Sequence, residues 1–106
     1  VSAFVSALTL ASADSATARG LIAELERAAI TRLDAETALS REAIAKGRDR
    51  GRELLIVDTW TDWYRRAVRT MSEIEVGGSS RATVRAIDAA DAAIEKAGKD
   101  RVAKLR

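Results

Sequence analysis

Glycine and polar caps are the only devices this chain has for interrupting a helix, because its 106 residues include no proline. Nothing imposes a kink within a helical run. Two glycine clusters, Gly47 to Gly51 and Gly77-Gly78, divide the sequence, while Gly20 and Gly98 stand alone inside periodic stretches. Three helical segments joined by two short connectors follow from that spacing, and short connectors favour antiparallel neighbours.

The middle segment organises the rest. It reads RELLIVDTWTDWYRRAVRTMSEIEV from Arg52 to Val76 and holds both tryptophans, the only tyrosine and the only methionine. On a helical wheel Ile56, Val57, Trp60, Trp63, Tyr64, Ala67, Val68, Met71 and Ile74 share one side. Asp58, Asp62, Arg65, Arg66, Arg69 and Glu73 take the other. That three-to-four residue period predicts an amphipathic helix ending at Val76-Gly77-Gly78.

The first segment opens at the cap formers Asp14 to Thr17 and runs to about Lys46. Leu21, Ile22, Leu25, Ala29, Leu33, Leu39, Ala43 and Ile44 form its stripe. Thr31 and Asp34 resemble a second helix start, so the prediction is one long helix bent near Thr31–Asp34, with two helices as the alternative. Lys46 to Arg52 is the connector, with Gly47 as a left-handed cap. The last helix runs from about Arg81 to Leu105, with Val84, Ile87, Ala90, Ile94, Ala97, Val102 and Leu105 on one face. Asp91 and Gly98 interrupt that face. A buried carboxylate needs a partner, so Asp91 is expected to meet an arginine from a neighbouring helix. Gly98 permits a close helix approach or frays the end. Residues 1–13, VSAFVSALTLASA, carry no charge. They fit a short first helix using Phe4, Val5 and Leu8, a short strand, or a signal remnant ending at Ala11-Ser12-Ala13. The fold class is therefore all-α: one domain over 1–106, a small antiparallel bundle of three long helices with a short N-terminal helix as an optional fourth.

Composition limits the chemistry. Histidine and cysteine are both absent. That removes thiolate and imidazole zinc sites and the nucleophile systems that depend on histidine or cysteine, and it removes disulfides. No glycine loop matches a phosphate cradle. The carboxylates Glu24, Glu26, Asp34, Glu36 and Glu42 alternate with Arg27, Arg32 and Arg41 at helical spacing, which reads as surface ion pairing. We expect no enzyme, no cofactor, no metal and no small-molecule substrate. No stretch approaches the roughly 20 apolar residues of a membrane span. The expected location is cytoplasmic, with secretion or a virion as the other placements.

Alanine supplies 22 of the 50 apolar residues. It forms helix readily and buries little area, so the core is thin and a partner is expected to complete it. Trp60, Trp63, Tyr64 and Met71 are the candidate interface residues, with core packing as the plain reading. Arg48, Arg50, Arg52, Arg65, Arg66 and Arg69 are the candidates for a nucleic-acid backbone, with a solvated helix face as theirs. Lys96, Lys99, Arg101, Lys104 and Arg106 form a basic run that also suits a helix C-terminus. The expectation is a non-enzymatic helical subunit of a larger assembly, homo-oligomeric or bound to a protein partner, that contacts nucleic acid through arginines without sequence preference. The small helical subunits of CRISPR effector complexes offer an architectural analogy, with no shared motif. The alternative is a protein-protein adaptor, or a virion or secretion component, with no nucleic-acid role.

Overall fold

The computed structural model describes residues 14–75 and 77–106. Three α-helices account for most of them: α1 (Ser15–Ala45), α2 (Arg50–Thr70) and α3 (Arg81–Leu105), with a 3-10 turn at Met71–Glu73. The expectations for residues 1–13 lie outside the described residues. No helix among the described residues is long and apolar enough to cross a membrane.

Each helix starts on the cap its sequence supplies. Asp14 accepts from the Thr17 N–H at 2.8 Å, Asp49 from Arg52 N–H at 2.9 Å, and Ser80 from Thr83 N–H at 3.2 Å. Each satisfies one of the amides a helix start leaves unpaired. α1 continues through Thr31–Asp34 as one α-helix of 31 residues, about 46 Å long. The competing start there fails because Leu33 is fully buried and the flanking turns are already held by packing. Gly47, at φ 91°, ends α1 in the left-handed region as expected.

The bounds of α2 correct the sequence reading at both ends. Asp49 caps the helix, which begins at Arg50, two residues before Arg52, so the connector shortens to Lys46–Asp49. At the far end α-helix gives way to the 3-10 turn after Thr70, rather than continuing to Val76. The Thr70 hydroxyl donates to the Ala67 carbonyl at 2.7 Å and that of Ser72 to Arg69 at 3.1 Å, offering the last carbonyls partners other than the next turn of α-helix. Glu75 then turns toward α3. It accepts from the Ser80 N–H at 2.6 Å and from the Thr83 hydroxyl.

Contacts at the helix ends fix the directions. Ser15 meets Ser80 at 2.8 Å, and Asp34 meets Arg101 at 2.9 Å, so α1 and α3 run the same way. Arg50 reaches the Leu105 carbonyl while Arg69 reaches Asp88 at 2.7 Å, so α2 runs against α3. The three helices pack on one another in every pair.

The core has two clusters along this seam. Ile22, Ala29, Tyr64, Val68, Ile87, Ala90 and Ile94 form one, and Leu33, Val57, Ala97, Val102 and Leu105 the other; half-buried Trp60 touches both. Two expected core residues lie outside it: Leu39 is 59% exposed and Val84 45%. Both sit at the edge of their stripes, where a three-helix bundle leaves the flank uncovered.

α2 and α3 cross closely at Gly98. A methyl group placed there would lie 2.9 Å from Thr61 Cβ and closer still to the hydroxyl oxygen. Thr61 spends its hydroxyl on Val57 O at 2.9 Å and so needs no partner across the seam. At Gly20, in α1, an added methyl would meet nothing within 4 Å. The same substitution should therefore act in opposite senses. Gly98→Ala is expected to destabilise by about 1–3 kcal/mol through overpacking, and Gly20→Ala to stabilise by about 0.5–1 kcal/mol through helix propensity. Urea midpoints of the two variants check this; shifts of the same sign would contradict it.

Candidate functional site: the arginines and aromatics of α2

The two candidate groups of α2 part company in the structure. Arg65 and Arg69 turn toward α3 and grip Asp91. Arg65 Nε donates to Asp91 Oδ1 at 2.7 Å, and Arg69 Nη2 to Oδ2 at 2.6 Å. Arg65 also bridges Glu95 at 2.8 Å, and Arg69 bridges Asp88 at 2.7 Å. Asp91 is 6% exposed, so this is the neighbour's arginine that its burial requires, supplied twice. Arg66 points outward and pairs with Asp62 of its own helix at 2.8 Å.

A shallow cleft of about 420 Å³ is lined by Asp62, Arg65, Arg66, Arg69 and Asp91. It is not basic. The three guanidiniums meet four carboxylates, those of Asp62, Asp88, Asp91 and Glu95. A phosphate meeting Arg65 or Arg69 would compete with carboxylates already in place, so these two arginines hold α2 to α3, while exposed Arg66 pairs only within its own helix.

The connector arginines stand differently. Arg50 donates to the Leu105 and Arg106 carbonyls and so closes the end of α3. Arg48 and Arg52 are exposed, and neither side chain has an ion-pair partner among the described residues. Arg101 of the basic run is committed to Asp34 and Asp100, and Lys99 pairs with Glu95 at 3.4 Å.

The aromatic residues are graded by depth. Tyr64 is buried in the first core cluster. Trp60 is half-buried with the Arg32 guanidinium 4.3 Å above its ring, a cation–π contact that ties α1 to α2. Met71 is half-buried against the same cluster. Trp63 is 56% exposed. Its ring stands edge-on to Tyr64, with centroids 5.0 Å apart, and to Trp60 at 6.2 Å. The wheel had placed Trp63 among the residues of the apolar side. The packed face of α2 is Glu53, Val57, Thr61, Tyr64 and Val68, rotated away from Trp63.

Three of the five carboxylates of α1 pair at the surface: Glu36 with Arg32 at 3.4 Å, Glu42 with Lys46 at 3.6 Å, and Asp34 with Arg101, whereas Glu24, Glu26, Arg27 and Arg41 have no ion-pair partner among the described residues. Among the described residues no three carboxylates converge as a metal site would need. A polar cluster that sequence reasoning missed joins Ser15, Glu75, Ser80 and Thr83 at the opposite end of the bundle. Its only sequence signal was the density of cap residues. Comparison with protein families, with curated proteins and with solved structures finds no match to this chain.

Arg65, ahead of Arg69 and against the opposing effect of burial, holds the Asp91 carboxyl below its ordinary value. The Thr83 hydroxyl, then the Ser80 amide, does the same for Glu75. A carboxyl whose folded-state pKa is depressed contributes stability above its unfolded pKa. That contribution is lost as pH falls through the folded value. The melting temperature should thus hold near neutrality and fall below about pH 4. Asp91→Asn should remove about 2 kcal/mol at neutral pH, with the gap to the wild-type protein closing in acid. A gap independent of pH, measured by thermal melts across the range, would show that the charge of Asp91 is immaterial.

Proposed function

We propose that this chain is a non-enzymatic helical subunit of a larger assembly that associates through the flank where α1 and α2 meet. One observation carries the reading: Trp63 is more than half exposed on a well-packed helix. Leu55, at 64% exposure, lies two turns before Trp63 on the outer side of α2. Leu39 follows Arg32 by seven residues and so shares its side of α1, the side whose guanidinium covers Trp60. Trp63 and Leu39 therefore lie on the α1–α2 flank, while Leu55 points away from the packed face of α2. Single exposed apolar residues are ordinary, but a tryptophan exposed beside a leucine of the neighbouring helix on one flank is the kind of feature that marks an interaction surface. Tryptophan is also enriched among the anchors of protein interfaces.

The thin core supports the same reading. Four of the thirteen buried apolar residues are alanines, namely Ala18, Ala29, Ala90 and Ala97. Covering Trp63 would remove water from a side chain of the largest apolar area in the chain.

Trp60 and Trp63 then have separable roles. Trp60→Ala should cost about 2–4 kcal/mol of stability, because it empties space beside both core clusters. Trp63→Ala should change the urea midpoint little and weaken self-association by at least about 30-fold, the loss of an interface anchor worth roughly 2 kcal/mol. Sedimentation over a concentration series reads the assembly. A single-chain mass throughout, unaffected by Trp63→Ala, would overturn this reading.

A further inference from the structure

We infer that the connector end of the bundle binds a nucleic-acid phosphate backbone. The fold brings together two basic segments that lie far apart in sequence. Arg50 donates to the Leu105 and Arg106 carbonyls, so the α1–α2 connector and the last turn of α3 form one surface. Residues 41–53 and 103–106 together hold seven arginines and lysines against three carboxylates. The whole chain carries only +2, so its remainder is net negative and the positive charge is concentrated at this end.

None of the three carboxylates fully offsets that excess. Glu42 is engaged by Lys46, Asp49 is turned into the first turn of α2 as its cap, and Glu53 is buried. Arg41, Arg48, Arg52 and Arg106 are exposed and have no ion-pair partner among the described residues. Basic residues do gather at helix C-termini, and two such termini meet here. Two C-terminal half-charges against one N-terminal half-charge, however, amount to only about −0.5. A net charge of +4 from side chains far exceeds what the helix ends attract.

Phosphate suits this surface better than carboxylate. Five of the seven cations are arginines, whose planar fork makes paired hydrogen bonds to phosphate oxygens and whose weaker hydration eases contact. Gly47, at φ 91°, keeps the connector tight, so Arg48 and Arg52 project from one short turn and the helix it starts. The cations sit on a connector and the helix ends beside it, so the contact is with the backbone and independent of sequence. This inference does not depend on the α1–α2 flank, and it replaces Arg65 and Arg69, which Asp91 holds, with Arg41 and Arg106.

The test uses the full chain and a fluorescent single-stranded oligonucleotide, with a duplex of the same length beside it. Four phosphate contacts predict a slope of log affinity against log salt near −3. That is a loss of about 50- to 150-fold between roughly 50 and 200 mM salt. Arg48→Ala with Arg52→Ala should halve the slope, and Arg48→Glu with Arg52→Glu should abolish binding, while circular dichroism shows the fold intact. Arg66→Ala, at a residue paired with Asp62, should alter neither affinity nor slope. Several results would overturn the proposal. These are no binding at low salt, an unchanged slope in the double variant, equal competition by polyglutamate, or binding confined to vesicles of anionic lipid. Because Trp60 and Trp63 are untouched, failure here leaves the mass measurements of the flank to stand or fall separately.

Discussion

The buried carboxylate of Asp91, held between Arg65 and Arg69, fixes how α2 lies on α3, and much of the remaining surface follows from it. Both guanidiniums reach the same carboxylate from one helical turn, each with a second acid beyond it in Glu95 or Asp88. Sliding α2 by one turn would leave Asp91 with a single guanidinium, and sliding it by two would leave the carboxylate buried without a partner, which is among the more damaging changes a small fold can suffer. Two turns along α3 from Asp91, the Gly98–Thr61 crossing limits how closely the same two helices approach, since only a hydrogen fits there. Charge pairing sets the register and steric contact sets the distance.

That register determines which residues of α2 are left over. With Arg65 and Arg69 aimed at α3, the middle of the buried face falls on Val57, Thr61, Tyr64 and Val68. Trp63 is carried to the far flank and Trp60 to the margin, where Arg32 shields one face of its ring. The exposed tryptophan is thus a consequence of the ion pairs. A helical wheel finds the centre of the apolar residues, which the large indole side chains pull toward themselves. The packed face is instead set by what the neighbouring helices can accept, and a threonine that satisfies its own hydroxyl fits a glycine crossing better than an indole does.

The helices themselves were legible because the chain punctuates them locally. Asp14, Asp49 and Ser80 cap, Gly47 and Gly77-Gly78 turn, and no proline competes. The need of Asp91 for an arginine was also readable from its place in an apolar stripe. Which arginine was not, because pairing between helices depends on register, and register is not a local property. Yet the complementary pattern was present. Two arginines four apart on α2 face three acids spaced by three and four on α3, Asp88, Asp91 and Glu95. Treating these arginines as free cations overlooked acids on the neighbouring helix that could claim them. The premature end of α2 had a subtler cause, in that Thr70 and Ser72 bond back to carbonyls that a continued helix would have used.

Net charge conceals the same lesson at the scale of the whole bundle. A total of +2 suggests a surface with no electrostatic preference, and the middle of the bundle, where arginine and carboxylate interlock, behaves that way. Fields near a surface depend on charges within about a Debye length, roughly 8 Å at physiological salt. A molecule meeting the connector end therefore feels Arg48 and Arg52 and not the acids of the waist. The ion pairs between α2 and α3 remove the charge of five residues from that reckoning, and the net positive excess lies where the α1–α2 connector meets the last turn of α3. The interaction that locks the fold is thus also the one that separates structural arginines from those free to meet a partner.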